Sequence, residues 1–275
     1  TGIGVIDPDT RYQQTIDGLK NLREKCPNDI ILFADGSPNM VKDEYVKGVS
    51  PLVHINAYFG LNDGAVHQFA STGRKSEAEV AMLFFAMVEF KRNPDFAKLL
   101  SGVKRIFKYS ARSVLNDNFD ITKYDDKFGK YVFKKSMPSW MDENRKRNIT
   151  DHLYITRFYS MCPSLLDNYL DRLQSILQNI QQHGIDTEHA HYLCLDRKNV
   201  VEFDTIGVEG IMGGFGGMSS GRTRRPSDSL LGGGNESQLQ QAINVHDSTG
   251  LTSQEIINQN LGIVQQTQKE LEAAH

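Results

Sequence analysis

The most oxygen-rich stretch of the 275-residue chain lies between two short runs of strand-forming residues, 105–110 and 131–133. Its side chains are mostly amides and carboxylates: Asn116, Asp117, Asn118, Asp120, Asp125 and Asp126. A polar, acidic loop between two strands is a plausible place for chemistry, so the loop is a candidate functional site. The alternative is a solvated hairpin in which Asn and Asp serve only the turn.

A second candidate position is Asp35, which follows the apolar run IILFA at 30–34 and precedes Gly36 and Ser37. A carboxylate at the carboxyl end of a strand lies where open α/β sheets bind nucleotides. The alternative is a tight turn. Asp117 and Asp120 follow the end of the strand predicted at 105–110, so both loops are expected near the same edge of the sheet.

The sequence DTEHAH at 186–191 brings Glu188, His189 and His191 close together. These side chains could bind a metal ion, but Glu-His-x-His lacks the usual spacing of a zinc site. We therefore favour Glu188 as an acid or base, or as a structural residue. The charged run at 142–147 is interpreted as a solvated face, with phosphate binding by Arg145 or Arg147 as the alternative.

The elements that must position these residues alternate between strand and helix. Strands are predicted at 2–6, 30–34, 52–58 and 105–110, and amphipathic or apolar helices at 10–25 and 77–91. This order predicts an α/β domain with a Rossmann-like, mostly parallel sheet flanked by helices. A further amphipathic helix at 165–182 ends at Gly184, and a strand follows at 200–203.

The composition changes abruptly near the end of this predicted domain, which we place at 1–212. Residues 213–236 are rich in Gly, Ser and Arg and predict a flexible linker. Residues 237–275 are Gln-rich with a sparse apolar stripe, which predicts a helical tail that is either disordered or docked on a partner. We favour docking, on a protein partner or on a second copy.

Charge and composition limit the classes of function. The net charge of −3 gives no global basic field for nucleic acid, and the short cluster at 222–225 has no aromatic platform beside it. Three widely spaced cysteines, Cys26, Cys162 and Cys194, indicate neither a disulfide framework nor a zinc site. Because the sequence shows no membrane span and no signal segment, we expect a cytoplasmic or virion-associated protein.

Several segments together resemble a known family. The series GIGVI, RYQQTIDGLKNLREKCP and IILFADGS resembles the opening of nucleotide-diphospho-sugar transferases of the GT-A kind. FKYSARSVLNDNFD and KYVFKK are similar to the Lys-x-(Ser/Thr)-Gly-Arg-Tyr segment of glycosyltransferase-like proteins from bacteria and large viruses, including phages. HAHYLCLDRKNVVEFDTIGVEG is similar to the end of the same domain, so the resemblance covers about residues 2–212.

The resemblance implies transfer of a sugar from a nucleotide-diphosphate donor to a hydroxyl acceptor. The residues it assigns to the donor are Asp7, Arg11, Asp35 and Ser37 for base and ribose, and Lys108 and Arg112 for the diphosphate. The candidates for a general base are Asp151, Glu188 and Glu209, of which we choose Glu188. Asp117, with Asp120, is the candidate carboxylate for a manganese or magnesium ion.

Two departures from the family pattern bear on this expectation. The Asp-x-Asp signature, which holds the cation against the diphosphate, is missing after the strand at 105–110. Ala111 stands where the motif has Gly, and Ser113 where it has Tyr. Residues 116–118 could substitute as ligands, the domain could be independent of metal, or it could have lost catalysis. The second hypothesis is therefore a structural or assembly protein of a virion that keeps the transferase fold and docks through its tail.

Overall fold

The computed structural model describes residues 7–39, 41–62, 64–100 and 102–210. The strand predicted at 2–6, the linker at 213–236 and the tail at 237–275 lie outside these ranges. The α-helices of the described part are α1 Pro8–Lys25, α2 Asp43–Val49, α3 Phe59–Asn62, α4 Gly64–Ser71, α5 Lys75–Arg92, α6 Pro94–Leu100, α7 Glu143–Asn148, α8 Leu166–His183 and α9 Thr187–Cys194. None of them is both long and apolar enough to cross a lipid bilayer.

The strands of the described residues form four small sheets. They are β1 Leu32–Asp35, β2 Ile55–Tyr58, β3 Ile106–Tyr109, β4 Ser113–Leu115, β5 Tyr131–Lys134, β6 Met137–Pro138, β7 His152–Leu153, β8 Phe158–Met161, β9 Val200–Phe203 and β10 Val208–Gly210. The largest sheet has the order β3-β8-β5-β9, and β1-β2, β10-β4 and β6-β7 are separate pairs. Only β1 with β2 and β5 with β9 are parallel.

The mixed α/β class predicted from the sequence is confirmed, but the sheets are parallel only in part. The strands predicted at 30–34 and 52–58 do pair in parallel, with Leu32 opposite Ile55. The strand predicted at 105–110 was expected in that same sheet, yet β3 pairs antiparallel with β8 in another one. Because β8 also pairs with β5, it separates β3 from β5, and the alternative of a simple hairpin between them is wrong.

Helix α1 begins and packs for reasons that are visible in its sequence. Asp7 is the N-cap and accepts a hydrogen bond from the Thr10 N–H at 2.9 Å, and Pro8 occupies the first turn. A Cβ atom on Gly18 would lie 2.0 Å from the carbonyl oxygen of Ala111. The absence of a side chain at Gly18 therefore lets α1 rest directly on the turn that carries Arg112.

The main hydrophobic core lies between the four-stranded sheet and the helices α5 and α8. Val80 and Ala81 of α5 are buried in it together with Tyr131 and Phe133 of β5. Helix α8 buries its apolar stripe in this core and ends at Gly184, whose φ of 58° lies in the left-handed region that glycine tolerates. The core thus fixes α5 and β3 as one wall of the site described below.

Candidate functional site

A cleft of about 1550 Å³ is lined by residues of α1, β1, β2, α5 and β3 and of the segments around them. We call the part of the cleft that is lined by the start of α1 and by the ends of β1 and β3 its polar end. All six residues expected to bind a sugar donor line this cleft: Asp7, Arg11, Asp35, Ser37, Lys108 and Arg112. We take this polar end as the candidate site. Residues 1–6, which directly precede Asp7, lie outside the described residues.

Three cations line the cleft here, Arg11, Lys75 and Arg112, and the charge of Arg157 acts on Arg112 from outside the lining. We call these four residues the cation cluster. Burial, and then the charges of Arg11 and Arg157, lower the pKa of Arg112. Burial, and then the charges of Arg11 and Arg112, lower the pKa of Lys75. Among the described residues, the buried Nε of Arg11 and the buried Nη1 of Arg112 have no hydrogen-bond partner. The cluster therefore combines mutual repulsion with unused N–H donors.

The two carboxylates nearest the start of α1 and the end of β1 already hold the local backbone. Asp7 caps α1, and Oδ1 of Asp35 accepts a hydrogen bond from the Ser37 N–H at 2.7 Å. The tight-turn interpretation of Asp35 therefore holds together with its position in the cleft. A carboxylate can accept hydrogen bonds at both oxygens, so Asp35 can also accept a hydrogen bond from a ligand.

Lys108 lines the cleft, but its ammonium group is committed to the protein. Its Nζ donates to Oε1 of Glu79 at 2.6 Å, to the Thr156 carbonyl at 2.7 Å and to Oγ of Ser110 at 3.3 Å. An ammonium group has three donors, so these contacts use all of them. Lys108 thus joins α5, β3 and the segment before β8, and it supports the floor of the site.

Glu79 forms an ion pair with Lys108 at the floor of the cleft. Burial opposes ionisation of Glu79, but the charge and the hydrogen bond of Lys108 outweigh it and lower the pKa of Glu79. Sequence reasoning placed Glu79 only within the helix predicted at 77–91. The ion pair of Glu79 could not be predicted, because Lys108 is distant in sequence.

Glu188 is the predicted acid or base that the structure places in an unusual environment. It lies in the first turn of α9, and burial, followed by the charges of Asp186 and Glu79, raises its pKa to about 7. The Lys108 charge acts in the opposite direction and is a smaller cause. Glu188 does not line the cleft but interacts electrostatically with Glu79 and Lys108, which do. A carboxyl group with this pKa exchanges protons readily near neutral pH.

A buried hydrogen-bonded chain fixes the start of α9 and thereby the position of Glu188. Asp186 caps the helix and accepts from Nδ1 of His189 at 2.6 Å, while Nε2 of His189 contacts Oγ of Ser139 at 2.8 Å. The order Ser–His–Asp is that of a nucleophilic triad. However, Ser139 is only 5% exposed, and its Oγ also accepts from the Met141 N–H. The arrangement therefore supports the helix start.

The remaining predicted residues lie away from the cleft. The Asp151 carboxylate is 2.8 Å from Nδ1 of His152, and Glu209 on β10 accepts from Nδ2 of Asn116 at 2.5 Å. The exposed Asp117 pairs with Lys25 at 2.9 Å. Asp120 caps a short 3-10 helix, Ile121–Tyr124. None of these four carboxylates lines the cleft.

No group of three or more His, Cys, Asp or Glu side chains within the described ranges is arranged to hold a metal ion. The two histidines of the DTEHAH segment are used internally, since His191 donates from Nδ1 to the Thr187 carbonyl at 2.8 Å and its Nε2 contacts the Tyr169 hydroxyl. Arg145, an alternative phosphate ligand, donates to the carbonyls of His183 and Gly184 at the end of α8.

Comparison of the chain with protein-family models, with curated proteins and with solved structures gives no match. A fold class alone does not define a function. The proposal that follows therefore depends on the chemistry of the site.

Proposed function

We propose that this protein binds a nucleotide-diphosphate sugar and transfers the sugar to a hydroxyl acceptor, in a domain of the GT-A kind. One observation carries the proposal. The six residues that the family resemblance assigns to the donor come from the start of α1, the end of β1 and the end of β3, and they line the same cleft. These segments are far apart in the sequence, so the tertiary fold and not chain proximity brings their residues to one cleft.

Each part of a donor has a chemically suitable partner at the polar end of the cleft. The Asp35 carboxylate suits a ribose or base donor, because it retains acceptor capacity beyond its bond to Ser37. Arg11 and Arg112 suit the diphosphate, since a guanidinium group presents forked N–H donors to phosphate oxygens. Lys108 acts indirectly, through its ion pair with Glu79.

Glu188 is the proposed base of the transfer. The acceptor oxygen forms a bond to the anomeric carbon, the bond from that carbon to the phosphate oxygen breaks, and a base takes the acceptor proton. Glu188 does not itself line the cleft, and it is assigned this role on its pKa and on its electrostatic interaction with Glu79 and Lys108. The nucleoside diphosphate leaves with the bonding electron pair, and Arg11 and Arg112 stabilise the charge that develops on it. A pKa of about 7 matches the need for a base near neutral pH.

The donor pocket is tested by thermal-shift titration with UDP-, GDP- and ADP-sugars, with and without manganese. We expect one of them to raise the melting temperature saturably, since a ligand selective for the folded state stabilises it. A CMP-sugar, which lacks the diphosphate, serves as the negative control. A well-folded sample that responds to none of the donors contradicts the proposal and favours the non-catalytic assembly role.

Asp35→Ala provides the residue-specific test of the same pocket. Loss of one charge-assisted acceptor should weaken nucleotide-sugar binding by about tenfold or more, which corresponds to roughly 1.5–3 kcal/mol. Asp167→Ala is the matched control. Asp167 lies on α8, pairs with Lys91 of α5 at 2.6 Å, and does not line the cleft. Equal affinity of the two variants would remove Asp35 from the site.

A further inference from the structure

Two of the strands that line the cleft have only one strand partner each. Among the described residues, β1 pairs with β2 alone and β3 with β8 alone. All four residues of β1 and all four of β3 line the cleft and are only half-buried. In contrast, β8 has a partner on either side and is buried along its whole length. A strand edge without a partner offers N–H and C=O groups for pairing, so β1 and β3 can each accept one more strand.

The same two helices cover both strands. On one side, Leu22 of α1 packs against the hydrophobic clusters that also receive Phe33 of β1 and Phe107 of β3. On the other side, α5 contacts β1, and its Glu79 pairs with Lys108 of β3 at 2.6 Å. The strands β1 and β3 therefore lie in one layer between α1 and α5, and the cleft includes the gap between them.

Strand β3 runs antiparallel to α1. Phe107 of β3 packs in the same cluster as Leu22 of α1, and Ala111, just past the end of β3, lies against Gly18. As the chain advances along β3, its contacts therefore move back towards the start of α1.

Strand β1 runs in the same direction as β3. It follows α1 after a short connection, in which the Asp29 carbonyl accepts a hydrogen bond from Nη1 of Arg23 near the end of α1. It ends at Asp35, which lines the cleft together with Asp7 at the start of α1. A strand that leads directly into α1 and lies beneath it must run the same way. Parallel strands joined by a helix in this manner form a βαβ unit and are usually neighbours in one sheet.

The segment 2–6 has a sequence that suits the gap between β1 and β3. It reads GIGVI, without a polar or charged side chain, and it directly precedes Asp7, the N-cap of α1. Parallel strands that are buried within a sheet are typically such continuous apolar runs. Five extended residues span about 17 Å, which is enough to pass all four residues of β1 or of β3.

We propose that residues 2–6 form a strand that fills the gap and pairs in parallel with β1 on one edge and with β3 on the other. The β1-β2 pair and the four-stranded sheet then become one sheet in the order β2, β1, residues 2–6, β3, β8, β5, β9. Only β8 runs against the other strands in this sheet. Because the strand ends before Asp7, the polar end of the cleft stays open. The inference rests on strand edges and helix contacts and is independent of the proposed sugar transfer.

Amide hydrogen exchange and amide–amide NOEs, measured by NMR on the full chain, test the proposed strand. We expect the amides of residues 3–6 to exchange at least about a hundredfold more slowly than those of an unstructured peptide, since they would be hydrogen-bonded inside a sheet. We also expect NOEs that connect these residues to both β1 and β3. Exchange at the rate of an unstructured peptide, or NOEs to only one of the two strands, overturns the proposal.

A different occupant of the gap gives a different result. If a second copy of the chain filled it, light scattering would show a dimer, and the NOEs to β1 and β3 would arise between copies in a sample of mixed isotope labelling. That outcome also overturns the proposal, whereas NOEs within one copy support it.

Val5→Thr tests burial of the segment with a change that preserves side-chain shape. A hydroxyl group placed inside the sheet should lower the melting temperature of the full chain by roughly 5 °C. Val114→Thr is the matched control, because Val114 lies on β4, is 37% exposed and does not line the cleft. The control should melt within about 1 °C of the wild type, since its hydroxyl group stays hydrated. Equal melting temperatures of the two variants would show that Val5 is not buried between β1 and β3.

Discussion

Glu188 carries a proton at pH values where an ordinary glutamic acid has lost it. Its pKa of about 7 in the folded protein exceeds the ordinary value of 4.5, so the folded protein binds more protons than the unfolded chain between these pH values. The free energy of unfolding therefore falls as the pH rises through this window and levels off above about pH 7. The carboxylate that results is the form in which Glu188 would act as a base.

Glu188→Gln removes this titration and retains the shape of the side chain. We expect the variant to gain stability relative to the wild type as the pH rises from about 5 to 8, by on the order of 2 kcal/mol. Urea unfolding of both proteins across this range measures the difference. If the gap between them does not change with pH, the environment assigned to Glu188 is wrong.

The titration of His191 also makes the free energy of unfolding depend on pH. The test of Glu188 must therefore compare the wild type with Glu188→Gln at each pH. Burial lowers its pKa to about 4, so it stays neutral in the folded protein, whereas the unfolded chain takes up a proton below about pH 6.5. Its contribution to stability is complete above that pH and is lost as the pH falls toward 4. This slope is opposite to that of Glu188 and is present in both the wild type and Glu188→Gln, so it cancels in the difference.

At the scale of elements, the contact of α1 with the turn at 111–113 decides whether Arg11 and Arg112 meet. Gly18→Ala tests this contact, since the new Cβ would lie 2.0 Å from the Ala111 oxygen and 2.7 Å from that of Ser113. Helix propensity alone would make the change favourable. We expect instead a loss of about 2 kcal/mol or more from overpacking, together with weaker nucleotide-sugar binding.

Gly64→Ala is the matched control for this helix substitution. Gly64 begins α4, and an added Cβ there meets no atom within 4 Å. The control should leave the melting temperature and nucleotide-sugar binding nearly unchanged. If Gly18→Ala behaves like Gly64→Ala in both measurements, α1 does not rest on the turn as described.

The element predictions that depended on local chemistry were confirmed. Helix α1 was expected at 10–25 and α8 at 165–182, and both form, because apolar spacing and end signals such as Gly184 act within a few residues. The parallel pairing of β1 and β2 also follows from their connection by a helix. The partner of β3 could not be predicted, since β8 lies about 50 residues further along the chain.

At the scale of the whole molecule, a chain with a net charge of −3 presents one locally positive cleft end. Such a local field attracts anions even though the overall charge is negative. The buried residues of the described hydrophobic clusters lie between Ile16 and Ile206. The core and the cation cluster therefore both belong to the domain predicted at 1–212.

A chain that ends at residue 212 should fold and retain nucleotide-sugar binding. We expect cooperative unfolding with a melting temperature within a few degrees of the full chain, while any association through the predicted tail at 237–275 is lost. Calorimetry and light scattering measure the two properties. Loss of cooperative unfolding in the shortened chain would show that residues beyond 212 belong to the core.

The sequence by itself determined the helices with clear ends and the mixed α/β class, because caps and periodicity are local properties. The six residues that line one cleft were selected by the family resemblance. Only the tertiary structure decided which charged groups meet. It commits Lys108 to Glu79, turns Asp117 toward Lys25, and brings Lys75 and Arg157 beside Arg11 and Arg112. The physical reason is that hydrogen bonding and electrostatics depend on distances between segments, and these are set by packing that no single segment encodes.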